Sequence, residues 1–293
     1  MIMLSKAPAF VASFFIVSMP FLLASDNPKP LAMVEVLDLK GDGVNAFAFY
    51  SVSRQLFISH PTANTDLNQW DIDKKALLHT YRSPSPAGWC EVQISHDGKF
   101  FVASTSSAMN VAAKVVLIDT STHQTLFTLA YKYPVSVTFD VTGKFLWVAP
   151  SWPGPDPFVY DLEGKKHREF KARDFVGAGS EQLWDVSERK GGGRPGLFFK
   201  DSKGEVHRLD PEPLNSNYAL SKNGKYIGTS TWGQRVRVWR TSDLKEVFNE
   251  KIGTHPVFTL YDSINDQFLV VDGVGGNTQL RAISLPVEAS DHK

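Results

Sequence analysis

A weak repeat about 42 residues long, which occurs six times, constrains the fold of this chain more than any other feature. In each unit a short apolar run ends in an aromatic or aliphatic residue that is usually followed by an aspartate. The pairs in this position are Trp70-Asp71, Ile118-Asp119, Tyr160-Asp161, Lys200-Asp201, Trp239-Arg240 and Ile283-Ser284. Their second members are separated by 48, 42, 40, 39 and 44 residues. A fixed period of this length indicates repeated supersecondary units in which neighbours bury one another's apolar faces.

Turn signals divide each unit into four short strands. The clearest are the Gly-Lys turns at Gly98, Gly143 and Gly224, each between two apolar runs, with looser copies at 50–56 and 262–268. Asp-Gly and Asn-Gly supply the positive φ that tight hairpins require, so these turns are predicted to join the first and second strands. The third strand is predicted to end at the aromatic-Asp pair. The fourth unit is degenerate, with its later strands predicted at 182–187, 197–200 and 205–209 and an irregular Gly191-Gly192-Gly193 loop among them.

The two ends of the repeat array complement each other. The sixth unit stops after its third strand near Leu285, and an extra strand, Met33 to Leu39, precedes the first unit. Pairing these ends would remove two exposed sheet edges. The 253 residues from 33 to 285 hold six units, so we predict a ring of six four-stranded antiparallel units closed by the N-terminal strand. Seven units, the alternative, would need about 36 residues each, and no seventh turn is visible.

The pattern resembles the WD-repeat and YVTN-type β-propeller superfamily over nearly the whole chain after residue 32. The Gly-Lys turns, Trp70-Asp71 and the Trp239 position carry the resemblance. The Gly-His pair common before the first strand is nearly absent, and Thr254-His255 is its closest relic. The resemblance implies an all-β propeller of four-stranded blades that works as a binding or assembly platform. This functional expectation is an analogy of fold.

The first 25 residues differ from the rest. Lys6 is the only charged residue before Asp26. An apolar run over 10–17 continues beyond Pro20 and is followed by the small residues Ala24 and Ser25. This pattern is typical of a signal peptide, so we expect export to the periplasm or the extracellular space. A retained N-terminal anchor is the alternative, and membrane contact is expected only in that case. The predicted organisation is a signal peptide (1–25), a linker (26–32), a propeller (33–286) and a disordered tail (287–293).

The charge balance limits the classes of partner, and the cysteine count limits disulfide formation. The 31 basic and 31 acidic residues balance, which argues against nucleic acid as the main partner. Cys90 is the only cysteine, so no internal disulfide forms, and its apolar setting favours a small buried hydrophobe.

The predicted central channel offers few ionisable groups. Alignment on the turns places Phe47, Glu91, Ser136, Asn217 and Phe258 at one equivalent inner position. Glu91 is the carboxylate of that set, and Asp174 in the degenerate unit is a second channel candidate. A calcium or zinc site needs more converging ligands, and the eight histidines show no metal-binding spacing, so we expect no cofactor and no metal. A channel-based lactonase or hydrolase remains an alternative function.

One face of the predicted propeller carries the loops between second and third strands and the loops between blades; we call it the loop-rich face. Aromatic, imidazole and guanidinium groups on a stiff loop face are typical protein-interface anchors, and tryptophans also suit sugar stacking. We therefore predict an exported, non-catalytic propeller that binds a protein partner, with a lectin-like, carbohydrate-binding propeller as a further alternative. The candidate residues on this face are His60, Trp89, Tyr131, Tyr133, Trp152, Arg194, Trp232 and His255.

Overall fold

A computed structural model describes fourteen stretches of the chain, and all its regular elements are β-strands. The described residues are 31–39, 41, 43–60, 66–105, 112–140, 142–150, 158–167, 183–186, 196–200, 203–210, 218–230, 235–252, 258–274 and 277–286. The predicted signal peptide, most of the predicted linker and the predicted tail lie outside them. None of the described residues forms a helix of the length and apolarity needed to span a membrane.

The strands follow the predicted units. The first half of the chain contains β1 (Met33–Asp38), β2 (Ala46–Tyr50), β3 (Gln55–Ser59), β4 (Leu67–Asp71), β5 (Ala76–Tyr81), β6 (Trp89–Ile94), β7 (Phe100–Thr105), β8 (Ala113–Asp119), β9 (Thr125–Tyr131), β10 (Val135–Phe139) and β11 (Phe145–Pro150). The second half contains β12 (Phe158–Asp161), β13 (Lys166–His167), β14 (Leu183–Val186), β15 (Gly196–Lys200), β16 (Val206–Asp210), β17 (Tyr218–Leu220), β18 (Tyr226–Ser230), β19 (Arg235–Arg240), β20 (Lys245–Lys251), β21 (Phe258–Asp262), β22 (Gln267–Val274) and β23 (Asn277–Ser284).

These strands form six antiparallel sheets in the part of the chain that the structure describes. In chain order the sheets are β2-β3-β4-β5, β6-β7-β8-β9, β10-β11-β12-β13, β14-β15-β16, β17-β18-β19-β20 and β21-β22-β23-β1. The predicted all-β class and the four-stranded antiparallel sheets are therefore confirmed. The fourth sheet shows three strands, close to the predicted positions; the residues that precede them, 168–182, lie outside the described stretches.

The aspartate of the repeated pair has a local structural cause. The carboxylate of Asp71, at the end of β4, accepts hydrogen bonds from the backbone N–H groups of Asp73 and Lys74 at 3.1 and 2.9 Å. Asp119, at the end of β8, does the same for Ser121 and Thr122 at 2.9 and 2.8 Å. Such short-range acceptance is the Asx turn. The aspartate thus closes the turn into the outermost strand, which explains its recurrence.

In the Gly-Lys turns a serine hydroxyl accepts a backbone hydrogen bond across the turn. The Ser95 hydroxyl accepts the Phe100 backbone N–H at 3.0 Å, and Ser221 accepts that of Tyr226 at the same distance. The glycine of each turn has positive φ, as at Gly98 (71°) and Gly224 (69°). These are the first-to-second-strand hairpins that the sequence predicts.

Apolar clusters between neighbouring sheets hold the fold together. Phe57, Trp89 and Phe101 pack between the first and second sheets, and Phe199 and Ile227 between the fourth and fifth. Because both faces of a sheet pack against a neighbouring sheet, consecutive residues of strands such as β3 and β7 are buried, whichever side they point to. These strands therefore read as continuous apolar runs.

The N-terminal strand joins the last sheet. β1 pairs antiparallel with β23, with Met33 opposite Ile283 and Asp38 opposite Gln279. The first and last sheets also share an apolar cluster that includes Leu56 and Val271. This is the contact that the closure hypothesis requires.

Candidate binding surface

Four of the eight residues predicted for the loop-rich face lie in the described part of the chain. They are His60, Trp89, Tyr131 and Tyr133. The other four, Trp152, Arg194, Trp232 and His255, lie outside the described residues, so their placement stays a prediction.

Trp89 and His60 lie inside the protein. Trp89 is 1% exposed, and its indole N–H donates to the Tyr81 carbonyl at 3.2 Å. His60 is 6% exposed, and its Nδ1 donates to the Gly43 carbonyl at 2.7 Å. The His60 ring also packs against the backbone of Gly41, where an added Cβ would lie 2.9 Å from it. Both side chains support the strand ends beneath the loops, and neither presents a surface to a partner in this conformation.

Tyr131 is the last residue of β9, and Tyr133 lies in the short connection from the second sheet to the third. The Tyr131 hydroxyl donates to that of Tyr160 at 2.8 Å, and its ring stacks on Phe158 with centroids 6.2 Å apart. Burial and the bond to Tyr160 raise the pKa of Tyr131. The phenol is therefore neutral at physiological pH and can act as a donor.

Two lysines lie over this group of aromatic rings. Lys166 Nζ is 3.5 Å from the centroid of the Phe158 ring, and Lys132 Nζ is 5.6 Å from that of Tyr133. An ammonium within about 6 Å of an aromatic face is attracted by the ring quadrupole. The rings of Phe158 and Tyr133 are half-buried. We call Tyr131, Tyr133, Phe158 and Tyr160 the aromatic rim.

Phe158 and Lys166 are not among the residues predicted for the loop-rich face. The position of Phe158 in the sequence could have indicated it, because Phe158 opens a third strand directly after a proline-rich segment. An aromatic residue at the first position of a third strand faces the same end as the last residue of the preceding fourth strand, here Tyr131.

The channel candidate Glu91 bridges two inner strands. It lies on β6 just after an irregularity in the pairing with β7, and its Oε2 accepts the backbone N–H of Val137 on β10 at 3.1 Å. Burial raises the pKa of Glu91 to about 7, while hydrogen bonds from Val137 and Ser136 act in the opposite direction. Its neighbour Cys90 is half-buried, with Sγ 3.3 Å from the Ser104 hydroxyl.

The second channel candidate, Asp174, lies outside the described residues. Among the residues that are described, no three His, Cys, Asp or Glu side chains group in a way that could hold a metal ion. Glu91 thus brings one carboxyl with a pKa near neutrality to the inner strands, bound to the backbone of the next sheet.

Comparison with known proteins bears on the fold. No protein-family model matches the sequence, and no curated protein matches it. Among solved structures, the β-propeller domain of Cps50 (Swd1) from Myceliophteria thermophila superposes with a TM-score of 0.61 at 11% identity, covering 85% of this chain and 99% of that domain. The WD40 repeats of RRP9 superpose with a TM-score of 0.59 at 14% identity, covering 87% and 99%. The chain therefore has the fold of WD40 β-propellers, as the repeat predicted.

Proposed function

We propose that this protein is a non-catalytic binding propeller that holds a protein partner on its loop-rich face, with the aromatic rim as part of the contact surface. The observation that carries the proposal is the aromatic rim itself. It combines the half-buried rings of Tyr131, Tyr133 and Phe158 with the overlying Lys132 and Lys166.

Aromatic rings fixed by their neighbours suit an interface for two reasons. They bring a large apolar area at a small cost in side-chain entropy, and such residues dominate the energy of measured protein interfaces. The bond between Tyr131 and Tyr160 and the stacking on Phe158 hold the rings before a partner arrives. The two lysines add a positive charge that would favour an acidic patch on the partner.

We also propose that the protein is exported and that the mature chain begins near residue 26. The support is the charge-poor apolar start with its small-residue exit at Ala24-Ser25. Intact-mass measurement of the protein from its native host should show the loss of about 25 residues. A full-length product in the cytosol would contradict export.

The partner is first captured with the mature protein from the native envelope fraction and identified by mass spectrometry. Affinity is then measured for single alanine variants of Tyr133, Trp152 and Trp232. Each anchor residue is expected to lose about 1–3 kcal/mol of binding free energy, with an unchanged melting temperature. Ile264→Ala is the matched control, because Ile264 is a 59% exposed apolar side chain in the β21–β22 turn on the opposite face.

The alternatives give different results in the same assay. A channel-based lactonase or hydrolase is favoured by the raised pKa of Glu91, and it predicts that Glu91→Gln abolishes function while the rim variants do not. A lectin-like propeller predicts capture of a glycan, with loss of binding in Trp152→Ala or Trp232→Ala. Binding of the protein partner that is unchanged in the alanine variants of Tyr133, Trp152 and Trp232 would overturn the proposal.

A further inference from the structure

The end of the protein opposite the loop-rich face is built from tight turns. These turns join the first to the second strand and the third to the fourth strand of a sheet, and we call this surface the turn face. Turns of neighbouring sheets lie side by side there: the Ser263 hydroxyl is 3.0 Å from that of Ser51, and Gly98 packs against the Tyr50 ring. The turn face is therefore a continuous surface across the last, first and second sheets.

Exposed apolar side chains concentrate at the turn face. In the part of the chain that the structure describes, seven large apolar side chains are exposed, by 43% to 68%. Two of them, Val52 and Ile264, lie in the β2–β3 and β21–β22 turns. The other five lie within the first three residues of an outermost strand, where that strand begins at the turn face; they are Val34, Leu77, Leu78, Leu126 and Val206. Isolated exposed apolar residues are normal on a protein surface, but these seven share one end of the molecule.

Lysines lie among these apolar side chains. Lys75 comes two residues before Leu77, and Lys203 comes three residues before Val206. Over the described residues of the turns, exposed lysines outnumber exposed acidic residues by eight to five. Three of the five acidic residues already form ion pairs with basic neighbours; they are Asp73, Asp97 and Asp243. The turn face therefore has an excess of positive charge beside its apolar side chains.

The chain enters the fold at the same end. Met33, the first residue of β1, lies opposite Ile283, and Gln267, the first residue of β22, lies opposite Ser284. β1 thus begins close to the β21–β22 turn. Thirty-two residues, including the apolar run over 10–17, precede this point, so whatever part of them stays on the protein is attached at the turn face.

A membrane surface fits this combination better than a protein does. Protein interfaces are centred on a contiguous apolar core that is enriched in aromatic residues. The seven exposed apolar side chains of the turn face are all aliphatic and are spread over four sheets, with lysines among them. Proteins that lie on a membrane place apolar side chains at the depth of the lipid headgroups, while lysines are attracted to the anionic lipids.

We propose that the turn face docks on an anionic lipid bilayer, with the exposed aliphatic side chains among the headgroups and the turn lysines at the phosphates. This contact is made by the folded part of the chain, so it does not require the N-terminal segment to be retained. It leaves the loop-rich face directed away from the bilayer and open to the protein partner. Because the two faces are opposite, the docking holds or fails independently of that partner.

The test uses the environment-sensitive fluorophore NBD on single cysteines in the full-length protein. Cys90→Ser is the background, because a serine can keep the contact with the Ser104 hydroxyl. Leu126→Cys and Val206→Cys place the label at the turn face in two different sheets. Ala130→Cys is the matched control, because Ala130 is exposed on the same strand as Leu126 but about 13 Å nearer the loop-rich face.

The labels report which face meets the lipid. Vesicles of phosphatidylcholine with about 30% phosphatidylglycerol should shift the emission of both turn-face labels to the blue, and vesicles of phosphatidylcholine alone should give a much smaller shift. The emission of the label at position 130 should stay unchanged. Attachment through the N-terminal segment alone would leave all three labels in water, so it cannot produce the expected result.

Two pairs of lysine variants, each combined with Leu126→Cys, test the charge. Lys144→Gln with Lys222→Gln removes two charges from the turn face, and Lys132→Gln with Lys251→Gln removes two at the loop-rich end. A lysine near an anionic bilayer contributes about fivefold to the affinity, so the first pair should need at least about tenfold more lipid for half of the label shift. The second pair should change that lipid concentration by less than about threefold, because its charges lie beyond a screening length from the bilayer.

Several outcomes would overturn the proposal. Turn-face labels that keep their aqueous emission at every concentration of anionic vesicles would do so, as would equal shifts at positions 126 and 130. Equal losses in the two lysine pairs would reduce the effect to one of net charge. A blue shift that grows with protein concentration in the absence of lipid would show that the turn face binds a second copy of the chain instead.

Discussion

Glu91 is a carboxyl group on an inner strand whose surroundings disfavour its charge. Its carboxyl group accepts one backbone hydrogen bond from Val137, and no described cation pairs with it. Desolvation therefore outweighs the hydrogen bonds, and the folded protein favours the protonated acid with a pKa of about 7. A residue of this kind costs stability whenever it must ionise.

The sign of the pH dependence follows from the two pKa values. The pKa of Glu91 is about 7 in the folded state, against an ordinary value of 4.5 for an exposed glutamate. As the pH rises from about 4.5 to about 7 the unfolded state loses its proton first, so the free energy of unfolding falls, and above pH 7 the penalty is constant. The contribution of Glu91 between pH 5 and pH 8 is a loss of about 2 kcal/mol.

Glu91→Gln isolates this contribution, because the amide oxygen can still accept the Val137 N–H but has no charge. Urea unfolding at pH 5 and pH 8 should show the variant more stable than the unmodified protein at pH 8 by about 2 kcal/mol more than at pH 5. The same difference at both pH values would show that Glu91 keeps an ordinary pKa.

Residue type alone predicted the surface less well than it predicted the fold. Trp89 opens β6 and His60 directly follows β3, and their side chains are typical of interfaces, yet both are buried. For Trp89 the reason is local: the pairing of β6 with β7 is irregular between Trp89 and Glu91, which changes the alternation of inward and outward positions. Such an irregularity has no signature in one sequence. His60 is held inside by its hydrogen bond to the Gly43 carbonyl. The positions of Tyr131 and Tyr133 follow from the strand boundaries alone, because Tyr131 ends β9 and Tyr133 lies in the connection to β10.

At the scale of elements, two hairpins between first and second strands have similar sequences but different neighbouring side chains. Gly98 and Gly224 occupy the same turn position with φ of 71° and 69°. A Cβ on Gly98 would lie 2.1 Å from Cε1 of Tyr50 in the neighbouring sheet, whereas a Cβ on Gly224 meets nothing within 4 Å. Backbone strain is therefore common to both positions, and steric conflict is confined to one.

These two glycines make a matched pair of variants. Gly224→Ala should cost about 1–2 kcal/mol of unfolding free energy from the left-handed backbone alone. Gly98→Ala should cost at least about 1 kcal/mol more, because the Tyr50 ring must move. Urea denaturation of both variants measures the difference. Equal losses would show that Tyr50 gives way freely and that only the backbone matters.

Strand positions were predictable because each boundary carries its own chemical signal. The third strands end where an aspartate binds the next turn, as at Asp71 and Asp119, and the second strands begin after a glycine of positive φ. The fourth unit lacks the glycine turn, and only its later strands could be located. Pairings across the chain, such as β1 with β23, came from counting strands, because no local signal marks a partner some 240 residues away.

At the scale of the whole molecule, one buried ion pair joins the first and last sheets. Arg54, in the β2–β3 turn, donates to the carboxylate of Asp262, at the end of β21, and also to Asp73 at 3.0 Å. The Asp262 side chain is 0% exposed, whereas that of Asp73 is 60% exposed. The same arginine thus binds one buried and one solvated carboxylate.

Arg54→Met removes both contacts and Asp73→Asn removes only the exposed one, so the two variants together separate the two contributions. Arg54→Met should lower the free energy of unfolding by about 3 kcal/mol, because it leaves a buried carboxylate without its cation. Asp73→Asn should cost less than about 1 kcal/mol, because an exposed pair is weak. Thermal unfolding of the two variants checks this order. A loss in Asp73→Asn as large as that in Arg54→Met would place the stabilising contact at the surface.

The closure hypothesis itself is tested by removing β1. Deletion of residues 26–41 takes away the strand that pairs with β23 and the buried Leu37 and Leu39 that pack against the first sheet. The truncated chain should aggregate or lose much of its melting temperature, because an unpaired β23 would offer hydrogen-bonding groups to other molecules. Deletion of 287–293 is the control and should change neither property. A separate peptide of residues 31–41 should restore solubility if the vacant edge is the cause, since the peptide can supply the missing pairs. A truncated protein that stays monomeric with an unchanged melting temperature would contradict the hypothesis, because the first and last sheets would then hold together without the N-terminal strand.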